Sequence, residues 1–234
     1  MTEEQQTNTP DDDTAPARPV LPLSAKARIW GQDEDEAVEP ALSPEARKKV
    51  FRGGNDCYYC GLPSQHNHVH NLNDNHSDTS ADNLRPACPL CHAWSHLEAL
   101  TGKAHIRFLP GMSAQDINHL QRATLIAMQL GDETMRKDAQ AVHKWLDERL
   151  DNNLHLDIVE RCAETNEPAA FAEAISQIPG DLRANKDEAL ENLAVIFDPK
   201  KFPLDKEWVT DVLKDYPMTE WPRVYQDTYF SAAV

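Results

Sequence analysis

At 234 residues and a formal net charge of −16, the chain is long enough for one or two domains with real cores, and its charge is unevenly spread. Residues 1–40 hold ten acids against three bases, 49–110 hold five of each, and 111–234 hold 23 acids against 13 bases. No basic face stands out, which argues against a protein that grips nucleic acid through its phosphates; no apolar run approaches the roughly 20 residues that span a bilayer.

Residues 1–42 are rich in Pro, Asp, Glu and Thr, and read as a disordered acidic tail because they cannot bury enough apolar surface to offset ordering entropy. The opening MTEEQQTNTPDDD has no apolar segment of the kind a secretory signal carries, so the cytoplasm is the expected location. An island from Val20-Leu21-Pro22-Leu23 to Ile29-Trp30 either docks on the folded body or a partner, or stays solvated. Ser43-Pro44-Glu45 reads as a helix start, with Ser as cap and Pro at the first helical position. That helix runs through Lys48–Phe51 and ends at Gly53-Gly54. His105–Leu109 predicts a short strand stopped by Pro110-Gly111.

Beyond residue 111 the pattern is helical. Ser113-x-x-Asp116 resembles a capping box with Asp in place of the usual Glu. Ile117, Leu120, Thr124 and Met128 recur at helical spacing up to Gly131, and Met135, Ala139, Val142, Leu146 and Leu150 predict a second amphipathic helix. Further helices are expected over 154–164, 168–178, 186–197 and 204–215. Trp145 and Trp208 read as core residues, and Trp221, Tyr225 and Tyr229 as an aromatic stripe that either packs on the protein's own core or anchors a docked peptide. The expected fold class is α+β, mostly α: a small cysteine module over 43–110, then a helical region over 111–234.

Four of the five cysteines form two Cys-x2-Cys pairs, Cys57/Cys60 and Cys88/Cys91, separated by 27 residues. Zinc takes four soft or borderline ligands at tetrahedral vertices, and each pair turns the chain so that both sulfurs face one ion. This pattern suits metal binding in a reducing compartment better than disulfides, and predicts one structural Zn2+. Cys162, in an expected helix, reads as a small buried apolar residue.

Between and after the pairs lie His66-Asn67-His68-Val69-His70-Asn71-Leu72, Asn83-Leu84 and His92-Ala93-Trp94-Ser95-His96. This spacing resembles the HNH, or ββα-metal, nuclease module, in which a hairpin and a helix hold a catalytic metal. The resemblance puts His68 at the general base and Asn83 at the central Asn. His92 and His96 fall at metal positions on the helix, where an i, i+4 pair shares one face. Asn67 falls at the third metal position, where it is a neutral and poorer ligand than the usual His or Asp. If the site is active, His68 and Asn83 are its catalytic residues, and a second divalent metal sits on His92, His96 and Asn67.

A wider resemblance covers about residues 47–180. Asp56-Cys57-Tyr58-Tyr59-Cys60-Gly61, Asn71-Leu72, Asn83-Leu84 and Cys88-Pro89-Leu90-Cys91 look like the IcmJ/DotN family, as do Phe108-Leu109-Pro110 and Ser113–Asn118. That family implies a zinc-bearing, HNH-like module followed by helices. It also implies a cytoplasmic adaptor in the coupling complex of a type IVB secretion system, binding the coupling ATPase and helping to present substrates. Protein partners are therefore expected, with nucleic acid a partner only if the HNH chemistry is active.

Overall fold

The computed structural model describes residues 18–24, 44–73, 78–148, 165–178 and 190–221. It is a mixed α+β fold, mostly helical, with two separate two-stranded antiparallel sheets. The first helix, α1 (Pro44–Val50), opens on its proline and passes into a 3-10 turn over Phe51–Gly53. A hairpin follows, β1 (His68–Asn71) against β2 (Leu84–Ala87), with His70 opposite Arg85. Helix α2 (Pro89–Trp94) completes a ββα unit. It is buried along its whole length, which explains why its sequence shows no polar face.

Strand β3 (Ala104–Phe108) sits close to where the sequence predicts it. Its partner is the main surprise of the fold. Helix 186–197 was expected, but Leu193–Phe197 is a strand, β4, antiparallel to β3 with Ile106 opposite Val195. The physical reason is that Leu-Ala-Val-Ile-Phe is a continuous apolar run with two β-branched residues, buried at every position, and it has no polar stripe for a helix to expose. β3 lies in the stretch read as the cysteine module and β4 in the C-terminal region, and one apolar cluster contains Cys57, Cys91, Ile106, Ile126, Val195 and Trp208.

Helix α3 (Ala114–Leu130) runs through the middle of that cluster. Ser113 caps it as expected: its Oγ accepts from the Asp116 amide at 3.1 Å and donates to Asp116 Oδ2 at 2.7 Å. Its buried face carries Ile117, Leu125 and Ile126 together with three polar residues, Asn118, Gln121 and Thr124. The Gln121 amide explains one of these. Its Nε2 donates to Val195 O at 2.8 Å and its Oε1 accepts from Phe197 N at 2.9 Å, so a side chain satisfies the edge of β4 as a third strand would. Gly131 ends the helix because the chain turns tightly there: a Cβ would stand 2.5 Å from Ala127 O.

Helix α4 (Glu133–Glu148) packs on α3, and Ala139 and Leu146 are its buried residues. Trp145, expected in the core, is 47% exposed, because it lies one position from Leu146 on the outer face. Helices α5 (Pro168–Ser176) and α6 (Lys206–Asp215) follow the expected spans closely, and Trp208 on α6 is fully buried. A 3-10 turn, Met218–Glu220, leads to Trp221, which packs against the core cluster. The expected helix 154–164, Cys162, Ile29, Trp30, Leu150, Tyr225 and Tyr229 lie outside the described residues.

Residues 18–24, assigned from sequence to the acidic tail, run across the body as an ordered strap. Leu21 and Leu23 are buried, Ser24 N donates to Trp94 O at 3.0 Å, and Pro19 O accepts from Gln115 Nε2 at 2.7 Å. The island is thus a docking segment over this stretch.

Candidate metal centres

The first cysteine pair sits in a tight turn. Gly61 N donates to Cys57 O at 2.8 Å, and Cys57 N to Leu62 O at 2.9 Å. Gly61 has φ +75°, a left-handed conformation that favours glycine, and a Cβ there would meet the Arg18 guanidinium at 2.9 Å. Tyr58 N donates to Pro86 O at 2.8 Å, which joins this turn to β2. The second pair opens α2: Cys88 is the N-cap, its Sγ accepting from Cys91 N at 3.4 Å, and Pro89 takes the first helical position.

These two turns bring all four sulfurs within 4.8 Å of one another. A tetrahedral ion with Zn–S of about 2.3 Å requires sulfur–sulfur edges of about 3.8 Å. Cys60 Sγ and Cys88 Sγ stand 3.8 Å apart, so the donor set fits zinc. Taken alone, the sulfurs cannot ionise independently. Hydrogen bonding with Cys57, Cys88 and Cys91 holds Cys60 far below the ordinary thiol value, while hydrogen bonding with Cys57 and Cys60 pushes Cys88 well above it. A dication shared by four thiolates removes that conflict. Helix α3 supplies the surrounding donors: Asn118 Nδ2 lies 3.5 Å from Cys91 Sγ and Arg122 Nη1 lies 3.8 Å from Cys60 Sγ. Asn118 also accepts from Trp94 Nε1 at 3.0 Å, which ties the site to α2.

The histidines form a second cluster, with membership that differs from the expected set. His70, His92 and His96 each offer a ring nitrogen within 4.8 Å of the others. His92 Nε2 lies 3.0 Å from His96 Nε2, and His92 Nδ1 lies 3.0 Å from His68 Nδ1. His70 is oriented by the Tyr59 hydroxyl, 2.9 Å from its Nε2, and His96 by Glu98, whose carboxylate is 3.4 Å from its Nδ1. Imidazoles backed by a carboxylate and a hydroxyl suit a borderline divalent cation. His92 and His96 do not share one helix, since α2 stops at Trp94 and His96 follows the C-cap Ser95; they meet across the turn.

Asn67 is not part of this cluster. It is fully buried, its Nδ2 donates to Asn55 O at 2.8 Å and Leu62 O at 3.0 Å, and its Oδ1 accepts from Trp208 Nε1 at 3.0 Å. Both ends of the amide are spent on holding the first cysteine turn and α6. His70 stands with the ring nitrogens instead; its alternation with His68 along β1, two residues apart on one strand face, is the sequence signal that points to it. Asn83 pins the loop between β1 and β2, accepting from Asn73 N at 3.0 Å and donating to Asp78 O at 2.8 Å. His68 is exposed at the edge of the cluster. Comparison of the chain with protein-family models and with curated proteins finds no match in either.

Proposed function

We propose that this chain is a zinc-stabilised cytoplasmic adaptor of a type IV (type IVB-like) secretion or conjugation coupling complex, binding the coupling ATPase and helping to present protein substrates. The similarity of its cysteine module and helices to the IcmJ/DotN family supplies the complex. The observation that carries the adaptor reading over an enzyme is the burial of the histidine set: His70, His92 and His96 are 2%, 7% and 8% exposed. Phosphodiester hydrolysis needs a metal with an open position that a bulky polyanion can reach. The Glu98 carboxylate beside His96 and the net charge of −16 further disfavour an approaching phosphate. No helix among the described residues is long and apolar enough to cross a membrane, in keeping with a peripheral subunit. Co-expression of the tagged chain with a coupling ATPase of such a system tests the proposal: the two should co-purify through size exclusion. Recovery of the adaptor alone, with the ATPase folded and present, rejects it.

A metal-dependent HNH endonuclease is the second reading, favoured by the convergence of His70, His92 and His96 with His68 at the exposed rim. A divalent cation held by His70, His92 and His96 would supply Lewis-acid polarisation of a phosphate, and His68 at the rim would take a proton from water. Incubation with plasmid DNA and Mg2+, Mn2+ or Ni2+ should then give nicking that His68→Ala abolishes. Native mass spectrometry separates the readings further: a single zinc per chain accords with the adaptor, and a second exchangeable ion with the nuclease.

A further inference from the structure

One short stretch of this acidic chain carries a local run of bases. Arg47, Lys48, Lys49 and Arg52 fall within α1 and its 3-10 turn, and the only acid in those two elements is Glu45. Beside them a cleft of about 450 Å³ opens between α1, β2 and the strap. Three cations from three separate elements line it: Arg18, Lys49 and Arg85.

Two of these have partners on the body. Arg85 Nη1 donates to Ala81 O at 2.9 Å and to Leu84 O at 2.8 Å, and its guanidinium lies 5.9 Å over the Tyr58 ring. Its Nε and Nη2 have no partner among the described residues. Arg18 pairs with Asp56 at 3.8 Å. Lys49 is exposed and has no ion-pair partner among the described residues. The remaining lining includes Val50, Leu84 and Pro86, which give an apolar floor beneath the charges.

We infer that this cleft is a docking site for an acidic peptide segment of a partner protein. A peptide with carboxylates flanking an apolar side chain matches the arrangement: Arg85 offers a planar fork to one carboxylate, Lys49 a point charge to another, and the floor takes the apolar group. Charge complementarity also favours this site on a chain that elsewhere repels acidic partners. A nucleic acid fits less well. Its phosphates repeat at every residue, whereas the cleft has an apolar floor and places Asp56 among its cations. The inference goes beyond the adaptor reading and is measured on the purified chain without any secretion subunit.

The test is fluorescence anisotropy with a fluorescein-labelled peptide of alternating Glu and Leu, its Gln–Leu counterpart and a labelled oligothymidylate, all with zinc-loaded full-length chain. The Glu–Leu peptide should bind saturably, and more weakly as salt rises, since exposed charges are screened. Lys49→Glu combined with Arg85→Glu should weaken it by about tenfold or more. Lys49→Glu alone, at an exposed position that leaves the fold intact, should weaken it in part, and Lys206→Glu on α6 should leave it unchanged. Three results overturn the inference: equal binding of the Gln–Leu peptide, tighter binding of oligothymidylate, or indifference to Lys49→Glu in a chain that retains its zinc. A fourth is peptide binding that appears only after Asp33, Glu34, Asp35 and Glu36 are neutralised; the occupant is then the chain's own acidic stretch.

Discussion

Trp208 and Asn67 are 141 positions apart, yet the indole N–H of one is the hydrogen-bond partner of the other's amide oxygen. Asn67 was expected to hold a metal because its position, next to His68, matched a ligand site. Its real task is to bridge the first cysteine turn and α6, which needs an amide with a donor at one end and an acceptor at the other. Trp208→Phe should therefore cost about 1–3 kcal/mol of stability by urea unfolding, because Asn67 Oδ1 is left buried without a donor. A loss well below this range contradicts the bridging role. The four cysteines behave differently from Asn67: their pairing was legible in the sequence because two short spacings suffice to aim thiolates at one point. His70 was harder to find, since its alternation with His68 on one strand face gains a meaning only once the facing helix is in place.

At the scale of elements, Gln121 and β4 belong together. The amide of Gln121 closes an edge that would otherwise leave a carbonyl and an amide buried and unpaired. Gln121→Leu should destabilise the chain by about 2–6 kcal/mol, the sum of two lost partners, and should speed hydrogen exchange at the Phe197 amide. Exchange there at the wild-type rate would mean the edge is satisfied another way. Helix α4 carries a pH-dependent contact with the same sheet. Burial pushes His143 below the ordinary histidine value, against the opposing pull of Asp147, Asp198 and a backbone hydrogen bond at Phe197. As pH falls through about 6.5 the unfolded chain takes up the proton first, so stability is full above that value and declines below it. In His143→Gln the decline between about pH 6.5 and pH 5 should be shallower. Taking the difference between the two chains at each pH removes the titration of the other histidines. Strand β4 was read as helix because an apolar run has no period of its own; its length and its Val-Ile pair were the available signals. Asp211, by contrast, holds α6 to the cysteine module. Its carboxyl is drawn down to about 2 by Lys214, Ser64 Oγ–H and the Gln65 N–H, a contact that no local pattern foretells.

For the molecule as a whole, the four-cysteine site, the sheet and the strap share one core. Asn118 and Arg122 reach the sulfurs from α3, Gln121 on the same helix holds β4, and Leu21 and Leu23 of the strap pack into the same cluster as Cys57 and Cys91. Removing the ion should therefore unfold more than the cysteine module. With a zinc chelator, or with Cys88→Ser, the near-ultraviolet circular dichroism of buried Trp94 and Trp208 should disappear in one transition with loss of zinc. Retention of the Trp208 signal after Trp94's is lost would show two independent units instead.

The sequence by itself determined the pieces whose causes are local. These are the two Cys-x2-Cys turns, the Ser113 cap, the Pro44 helix start, the strand at β3 and most of the helices. Each depends on residues within a few positions of one another, where backbone geometry alone dictates the outcome. Only the tertiary structure decided that β4 completes β3, that Trp145 faces out, that Asn67 bridges to Trp208 and that His70 joins His92 and His96. It also decided that the scattered bases Arg18, Lys49 and Arg85 line one cleft. Each of these depends on which distant surfaces meet, and burial against a partner element, not local preference, sets what such a residue does.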